Sequence, residues 1–342
     1  MWSSNPTPSY FKWIFLSCLL AVSALKAQKL NFVKVHESND ILTADNYDRY
    51  FTQGLKVEVM SNTLSRVYKH TFLDHVLIKP KSDTSFYNHA SLSFIQEFYT
   101  PSDKTADTII HGDRPFAGVM YLSFRNISVD AEEHYRITTE LNIGVLGSWA
   151  MGREMQNGVH TLFSKHNADT NILGWNYQLH NDLYLNYLLK YERIMINTKL
   201  LQTSYIYQFN LGTIYDDFGF GARVQCGIFS SYFDKNLGYV TRTDKGHFKL
   251  FKHVQSYLFF NPVVKLVLWN SLLQGGVIQN YRGNQPYTMS ENDISRLVVD
   301  GSYGITFVVD RFTLQFIQYF KSREFDKGYN HRYGNITLAY SW

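Results

Sequence analysis

The feature that most limits the fold is strict two-residue alternation. Over Ile137–Val145, Ile137, Thr139, Leu141, Ile143 and Val145 share one side of an extended backbone; Thr138, Glu140, Asn142 and Gly144 take the other. Successive strand side chains point to opposite faces, so this stretch is a strand with one apolar face and one small, polar face. The pattern recurs at Lys29–His36, Phe51–Met60, Ala90–Tyr99, Phe116–Val129 and Leu183–Ile196, then at Leu201–Thr213, Phe218–Phe229 and Tyr257–Leu273. It closes with Leu297–Val309, Phe312–Lys321 and Asn335–Trp342. After the N-terminus no apolar run approaches the ~20 residues a spanning helix needs. Strands with a lipid-type face and a water-type face describe a membrane barrel.

Composition supports that reading: 16% of residues are aromatic, with 25 Tyr and 25 Phe, while mean hydropathy is −0.24. Aromatics spread over alternating segments suit a wall with lipid on one side. Tyr257–Leu273 contains Asn261-Pro262, and proline weakens a central strand, so the stretch is one bent strand or two short ones. One bent strand gives twelve, an even number as in single-chain bacterial barrels. The expected fold is all-β: a closed antiparallel barrel of about 12 strands, one domain over 28–342, with a short helix in an extracellular loop. The two-residue turn Asp310-Arg311 is expected to face the periplasm. The long connections (Ser61–Asn88, Ser148–Asp182, Tyr232–His253, Gln274–Asp293) are expected to face outward. The last run places Ile336, Leu338, Tyr340 and Trp342 on one side, a terminal pattern similar to the C-terminal signal of bacterial outer-membrane barrels.

At the N-terminus Lys12, the apolar run Trp13–Ala24 and Ala27 follow the order of a secretory signal over 1–27, with cleavage expected near Ala27-Gln28. Phe15-Leu16-Ser17 before Cys18 is a poor lipoprotein pattern. Removal of the signal leaves Cys226, so no intrachain disulfide forms, and a buried thiol is expected. The net charge of +4 gives no support to nucleic-acid binding.

One segment, Gly152–His160, interrupts the alternation. Read as a helix, it puts Gln156 and His160 one turn apart on one face. An amide can orient a carbonyl and an imidazole can take a proton near neutral pH. A solvated loop with a surface histidine is the plain alternative. Four further polar clusters precede it: Asn39-Asp40, Tyr50-Phe51-Thr52-Gln53-Gly54, Tyr99-Thr100-Pro101 and Gly112-Asp113-Arg114-Pro115-Phe116.

In this order the motifs N-D, Y-x-T-x-G, Y-[ST]-P, G-D-R-x-F and E-x-Q-N-x-x-H resemble those of the outer-membrane lipid A 3′-O-deacylases. The resemblance runs from Leu30 to about His160, with Arg323-Glu324-Phe325 a weaker support. It implies a calcium-dependent esterase site near the outer rim, between the barrel wall and a helical segment. Residue by residue, His160 matches the catalytic histidine, and Gln156, Asn39, Asp40 and Thr52 match the other site residues. The implied chemistry is a histidine base for water and Ca2+ on hard oxygens such as the Asp40 carboxylate. The implied partner is outer-leaflet lipid A or lipopolysaccharide, met by a monomer in the outer membrane. Basic residues suited to lipid A phosphates are reduced to Lys104 between Pro101 and Asp113. Acidic and tyrosine residues expected shortly after the histidine are absent from the matching places, with His166 and Ala168 in that region.

Each residue also has a structural reading. Asn39-Asp40 suits a turn, Thr52 a strand, Asp113-Arg114 an ion pair bracing the lumen, and Tyr50 and Tyr99 girdle aromatics. Two other functions remain beside lipid A deacylation: a phospholipase-like esterase, and a non-enzymatic pore or binding barrel.

Overall fold

The computed structural model describes residues 30–43, 49–80, 86–103, 106–156, 172–239, 253–283 and 285–342. The strands are β1 Phe32–Asn39, β2 Tyr50–Met60, β3 Phe86–Thr100, β4 Ala117–Asp130, β5 Tyr135–Leu146 and β6 Asp182–Asn197. They continue as β7 Leu201–Gly212, β8 Tyr215–Ile228, β9 Val254–Asn270, β10 Leu297–Val309, β11 Phe312–Lys321 and β12 His331–Ser341. Each pairs antiparallel with its neighbours, and β1 pairs with β12 to close a 12-stranded barrel with no free edge. Closure satisfies every strand's ladder, as the hydrocarbon layer demands. β9 is one strand running through Pro262, which faces Gly301 on β10; opposite β8 the ladder jumps from Gly221–Val263 to Val224–Phe260. The ladder gap thus falls where proline has no N–H to offer.

The last residue helps seal the seam. Asn31 N donates to Trp342 O at 3.3 Å, and Trp342 N donates to Asn31 O at 3.0 Å. The indole also stacks near Tyr340, with centroids 6.1 Å apart. Deleting Trp342 is expected to lower the yield of folded barrel several-fold, read as the heat-modifiable band on gels; an unchanged yield would show the seam closes without it.

The lumen is polar at mid-height and apolar at its ends. Arg125 bridges Glu58 at 2.8 Å and Glu140 at 2.6 Å, Lys190 meets Glu192 at 3.2 Å, and Lys265 meets Asp300 at 2.6 Å. Charges removed from water are tolerable only when paired in this way. The end near the chain termini holds a buried cluster that includes Leu30, Phe32, Met60, Ile127 and Leu237. At the other end Phe51, Tyr99, Leu146, Tyr184 and Leu272 are buried together. Between these ends the lumen keeps a polar cavity of about 210 Å³ beside Lys190, Arg223, Lys265 and Asp300.

Strand direction corrects the expected loop placement. Strands alternate, so the connections after β2 and β8 share the rim of the termini and of Asp310-Arg311. Ser61–Asn88 and Tyr232–His253 therefore lie on the rim expected to face the periplasm, opposite the connections after β5 and β9; length suggested one side for all four, but parity divides them. The connection after β2 holds helices α1 (Asn62–Lys69) and α2 (Leu73–Val76), which lie against the outside of the wall. Tyr68, Leu73 and Leu77 pack with Ala90 and Leu141. Tyr187 Oη donates to Val76 O at 2.8 Å, and Asn126 Nδ2 to Ile78 O at 3.4 Å. This cover explains why Asn126, Ser128 and Thr139, all on outward rows, are buried. Cys226 differs from expectation too: its thiol is exposed on the outer face, since its row meets lipid rather than lumen. An apolar row in a barrel implies contact with lipid, not burial.

Candidate active site

The bulge in β2 is the local device that builds the site. Pairing with β3 skips from Phe51–Tyr99 to Gln53–Phe98, leaving Thr52 as the extra residue. Strict alternation below it would aim Thr52 inward; the bulge turns it outward and sends Phe51 into the upper lumen cluster. On the outer wall the Thr52 and Thr100 hydroxyls share a hydrogen bond of 2.9 Å. Asn39, paired with Gln53, ends the outward row of β1 beside them.

The chain then folds into a 3-10 turn, Asp40–Leu42, because the Asn39 Oδ1 accepts from Ile41 N at 2.9 Å and caps it. The cap occupies the Asn39 carbonyl and leaves its Nδ2 as the group it can offer. Asp40 is buried, while its main-chain oxygen accepts from the Thr43 hydroxyl at 2.9 Å. Ile41, at 80% exposure, projects on the lipid side.

Above this wall lies the segment after β5. Gln96, polar in an outward row, donates from Nε2 to Ala150 O at 2.7 Å and pins the segment down. Residues 152–156 are helical. A Cβ on Gly152 would stand 2.5 Å from the Trp175 ring and 3.1 Å from Phe98, so only glycine lets the helix approach this closely. Trp175 packs edge-on against Phe98, with centroids 6.0 Å apart, and donates from Nε1 to Gln156 Oε1 at 2.6 Å. Gln156 is 3% exposed, and its Nε2 has no hydrogen-bond partner among the described residues. A buried amide N–H without a partner is costly, so it is a donor waiting for an acceptor.

Asn39, Asp40, Thr52 and Gln156 therefore sit along the outer wall of β1–β3 and its overlying helix. His160 and Lys104 lie outside the described residues, as do His166 and Ala168. Gln96, Phe98, Thr100, Gly152 and Trp175 went unread in the sequence as site-building residues. A lone glutamine among Leu92, Phe94 and Phe98 was the available signal. Among the described residues no three His, Cys, Asp or Glu side chains cluster as a metal centre. Asp40 is the carboxylate of this group, and its neighbours offer amide, hydroxyl and main-chain oxygens.

Two expectations change at the rim. Arg114 pairs with Glu324 at 3.4 Å, not with Asp113, and its guanidinium lies 4.7 Å from the Tyr99 ring centre. Asp113 instead accepts from Ser102 N at 2.7 Å, fastening the loop after β3. Tyr50 and Tyr99 are buried inside, not in a lipid girdle: Tyr99 donates to Glu97 at 3.0 Å, and Tyr50 Oη accepts from Tyr329 N at 3.1 Å.

Burial alone would push the Glu324 carboxyl up, but Lys321 and Arg114 beside it hold it at about 2, against an ordinary 4.5. A folded value below the unfolded one means the stabilisation is present above about 4.5 and is lost as pH falls through about 2. Hydrogen exchange over 322–330 is expected to quicken across that window in the parent. In Glu324→Gln it is expected to show no such acid step; an equal step in both would assign it elsewhere.

Among solved structures, the chain is similar to LpxR from Salmonella typhimurium, with a TM-score of 0.64 at 20% identity over 90% of this chain and 99% of that one. That likeness bears on the fold. It also matches the β-domain of the Bordetella autotransporter BrkA (TM-score 0.41, 8% identity, 91% and 97% covered). The translocator domain of NalP from Neisseria meningitidis follows (TM-score 0.35, 8% identity, 97% and 95% covered). No curated protein sequence matches this chain. The sequence profile described as outer membrane protein LpxR matches residues 13–342, nearly the whole chain, and the chain belongs to that family of outer-membrane β-barrel proteins.

Proposed function

We propose that this barrel is an ester hydrolase of outer-leaflet lipid that releases an acyl chain from lipid A, at the 3′-acyloxyacyl position. The observation that carries the reading is which face of the wall these residues occupy. Thr52, turned outward by the bulge, stands with Asn39 on the lipid side of the wall rather than in the lumen. A substrate that never leaves the bilayer can reach it there. Exposed Trp149 and Met151, on the segment that leads into the overlying helix, add apolar contact at that level.

In this reading His160 takes a proton from water as the water oxygen attacks the ester carbonyl carbon. The Gln156 Nε2 and Asn39 Nδ2 groups donate to the carbonyl oxygen as it gains charge, where such donors act most strongly. Collapse expels the sugar alkoxide, which recovers the proton from His160 and leaves a free fatty acid. Calcium fits the donor set in kind, because Asp40 and its neighbours offer hard oxygens and the exposed thiol of Cys226 is far away on β8. Bound there, the ion would supply Lewis-acid stabilisation of the oxyanion. Asp40 is the side chain that would hold it. A signal segment over 1–27 completes the proposal, delivering the chain to the outer membrane.

The reading is tested with purified protein, lipid A and diacyl phospholipid, with products followed by mass spectrometry. Loss of an acyloxyacyl group from lipid A is expected. Lysophospholipid as the sole product would make the protein a phospholipase, and no product from either lipid would make it a non-enzymatic barrel.

Gly152 gives a sharp check on the overlying helix. Gly152→Val must push the helix away from Trp175 and Phe98, and a shift near 1 Å can cost about 100-fold in rate. The barrel should remain heat-modifiable. Parent-level turnover in this variant would remove the helix from the mechanism.

A further inference from the structure

The outer wall between β8 and β12 is hollowed. A groove of about 740 Å³ crosses it, its lining free of charged residues. Ladder register says where it leads. Cys226, Leu258, Ile305, Phe316 and Ile336 are successive partners across the sheet, and the next partner along is Glu37 of β1. One row nearer the rim, Gln318 pairs with Gly334, and Gly334 pairs with Asn39. The groove therefore runs along the hydrogen-bonding direction straight to the outward residues of β1 that border the site.

Its upper lip is the capped turn itself. Leu42 lines the groove, and its carbonyl oxygen accepts from Gln318 Nε2 at 2.7 Å. A Cβ at Gly334 would lie 2.3 Å from that oxygen, so glycine is what allows the turn to rest on the wall. The same Asn39–Leu42 segment thus supplies polar groups to the site at one end and an apolar lip to the groove at the other. Ligand sites commonly measure ~300–1,000 Å³, so the space suits a chain-sized guest. With no charge in the lining, the guest is hydrocarbon, not headgroup.

We infer that this groove holds one acyl chain of the lipid whose ester lies at Asn39, Thr52 and Gln156, an inference that rests on the hydrolase reading above. Bilayer chains brush any lipid-facing surface. A chain seated beneath Leu42 is different: its head end is fixed by register at the reacting groups, so its occupancy is saturable.

Two measurements on the full-length barrel test this. Ile336→Trp fills the groove near the site, and Leu258→Trp, at a 59% exposed position, fills it further away with no demand on the fold. Both are expected to lower kcat/KM for a myristoyl ester by about 10-fold or more, while a butyryl ester of the same headgroup is cleaved at the parent rate. Separately, a bimane label on Cys226 is titrated with lipid A carrying a nitroxide on its acyl chain. Quenching is expected to saturate and to be reversed by unlabelled lipid A but not by phospholipid. Unsaturable quenching, or tryptophan variants that treat the two esters alike, overturns the chain site. Saturable quenching in a parent that cleaves neither ester upholds the chain site and sinks the hydrolase reading instead.

Discussion

His160→Ala is expected to slow acyl release by about 10²–10⁴-fold, the usual worth of a general base. Its place four residues after Gln156 in the sequence motivates this: the described helix over 152–156 brings the buried Gln156 amide over the outer wall. A base must be deprotonated to work, so the parent rate should fall as acid protonates the imidazole. The substitution lies outside every described strand, so the barrel should keep its heat-modifiable mobility. His160→Gln keeps a hydrogen-bonding group but no basicity, and should be nearly as slow. Lipid mass spectrometry on membranes with matched folded levels reads both variants. Acyl release near the parent rate in either one would take His160 out of the reaction.

Asp40→Ala is expected to cost about 10²–10³-fold, the scale of losing one element of oxyanion stabilisation. The carboxylate is buried at the head of the Asp40–Leu42 turn, next to the outward end of β1. If it holds calcium, activity and calcium response should vanish together in this variant. The parent should lose activity in excess chelator and regain it with calcium, more fully than with zinc, because the donors are oxygens. Calcium-induced change in Trp fluorescence provides a readout independent of turnover, with Trp175 packed beside Gln156. Full parent activity after exhaustive chelation would remove the metal from the mechanism.

Much of the architecture was legible because a two-residue period is a strong signal over a dozen residues. β10 and β11 run over Leu297–Val309 and Phe312–Lys321 as the alternation indicates, and even strand number settled Pro262 inside one strand. What stayed hidden has physical reasons. The helices after β2 are short and lean on the wall through tertiary contacts, so period alone did not show that Tyr68 and Leu77 cover outward Asn126 and Thr139. Loop length misled where strand parity decides the side. Within the site, Asn39, Asp40, Thr52 and Gln156 came from motif order. The outward aim of Thr52 depends on a bulge that one inserted residue creates, and alternation read strictly puts it in the lumen. Trp175 and Gly152 were invisible for another reason: their importance is a contact between residues that lie far apart in sequence.

In the proposed function, lipid reacts on the outside of this wall, beneath the 152–156 helix. Photo-crosslinking tests it most directly, with a photo-reactive amino acid placed either at position 100, beside Thr52 on the lipid side, or at position 119, in the upper lumen cluster. In a His160→Ala background, where bound substrate is not consumed, irradiation should give a lipid A adduct from position 100 and none from position 119. An adduct formed only from position 119 would place the substrate in the lumen and overturn the outer-wall site.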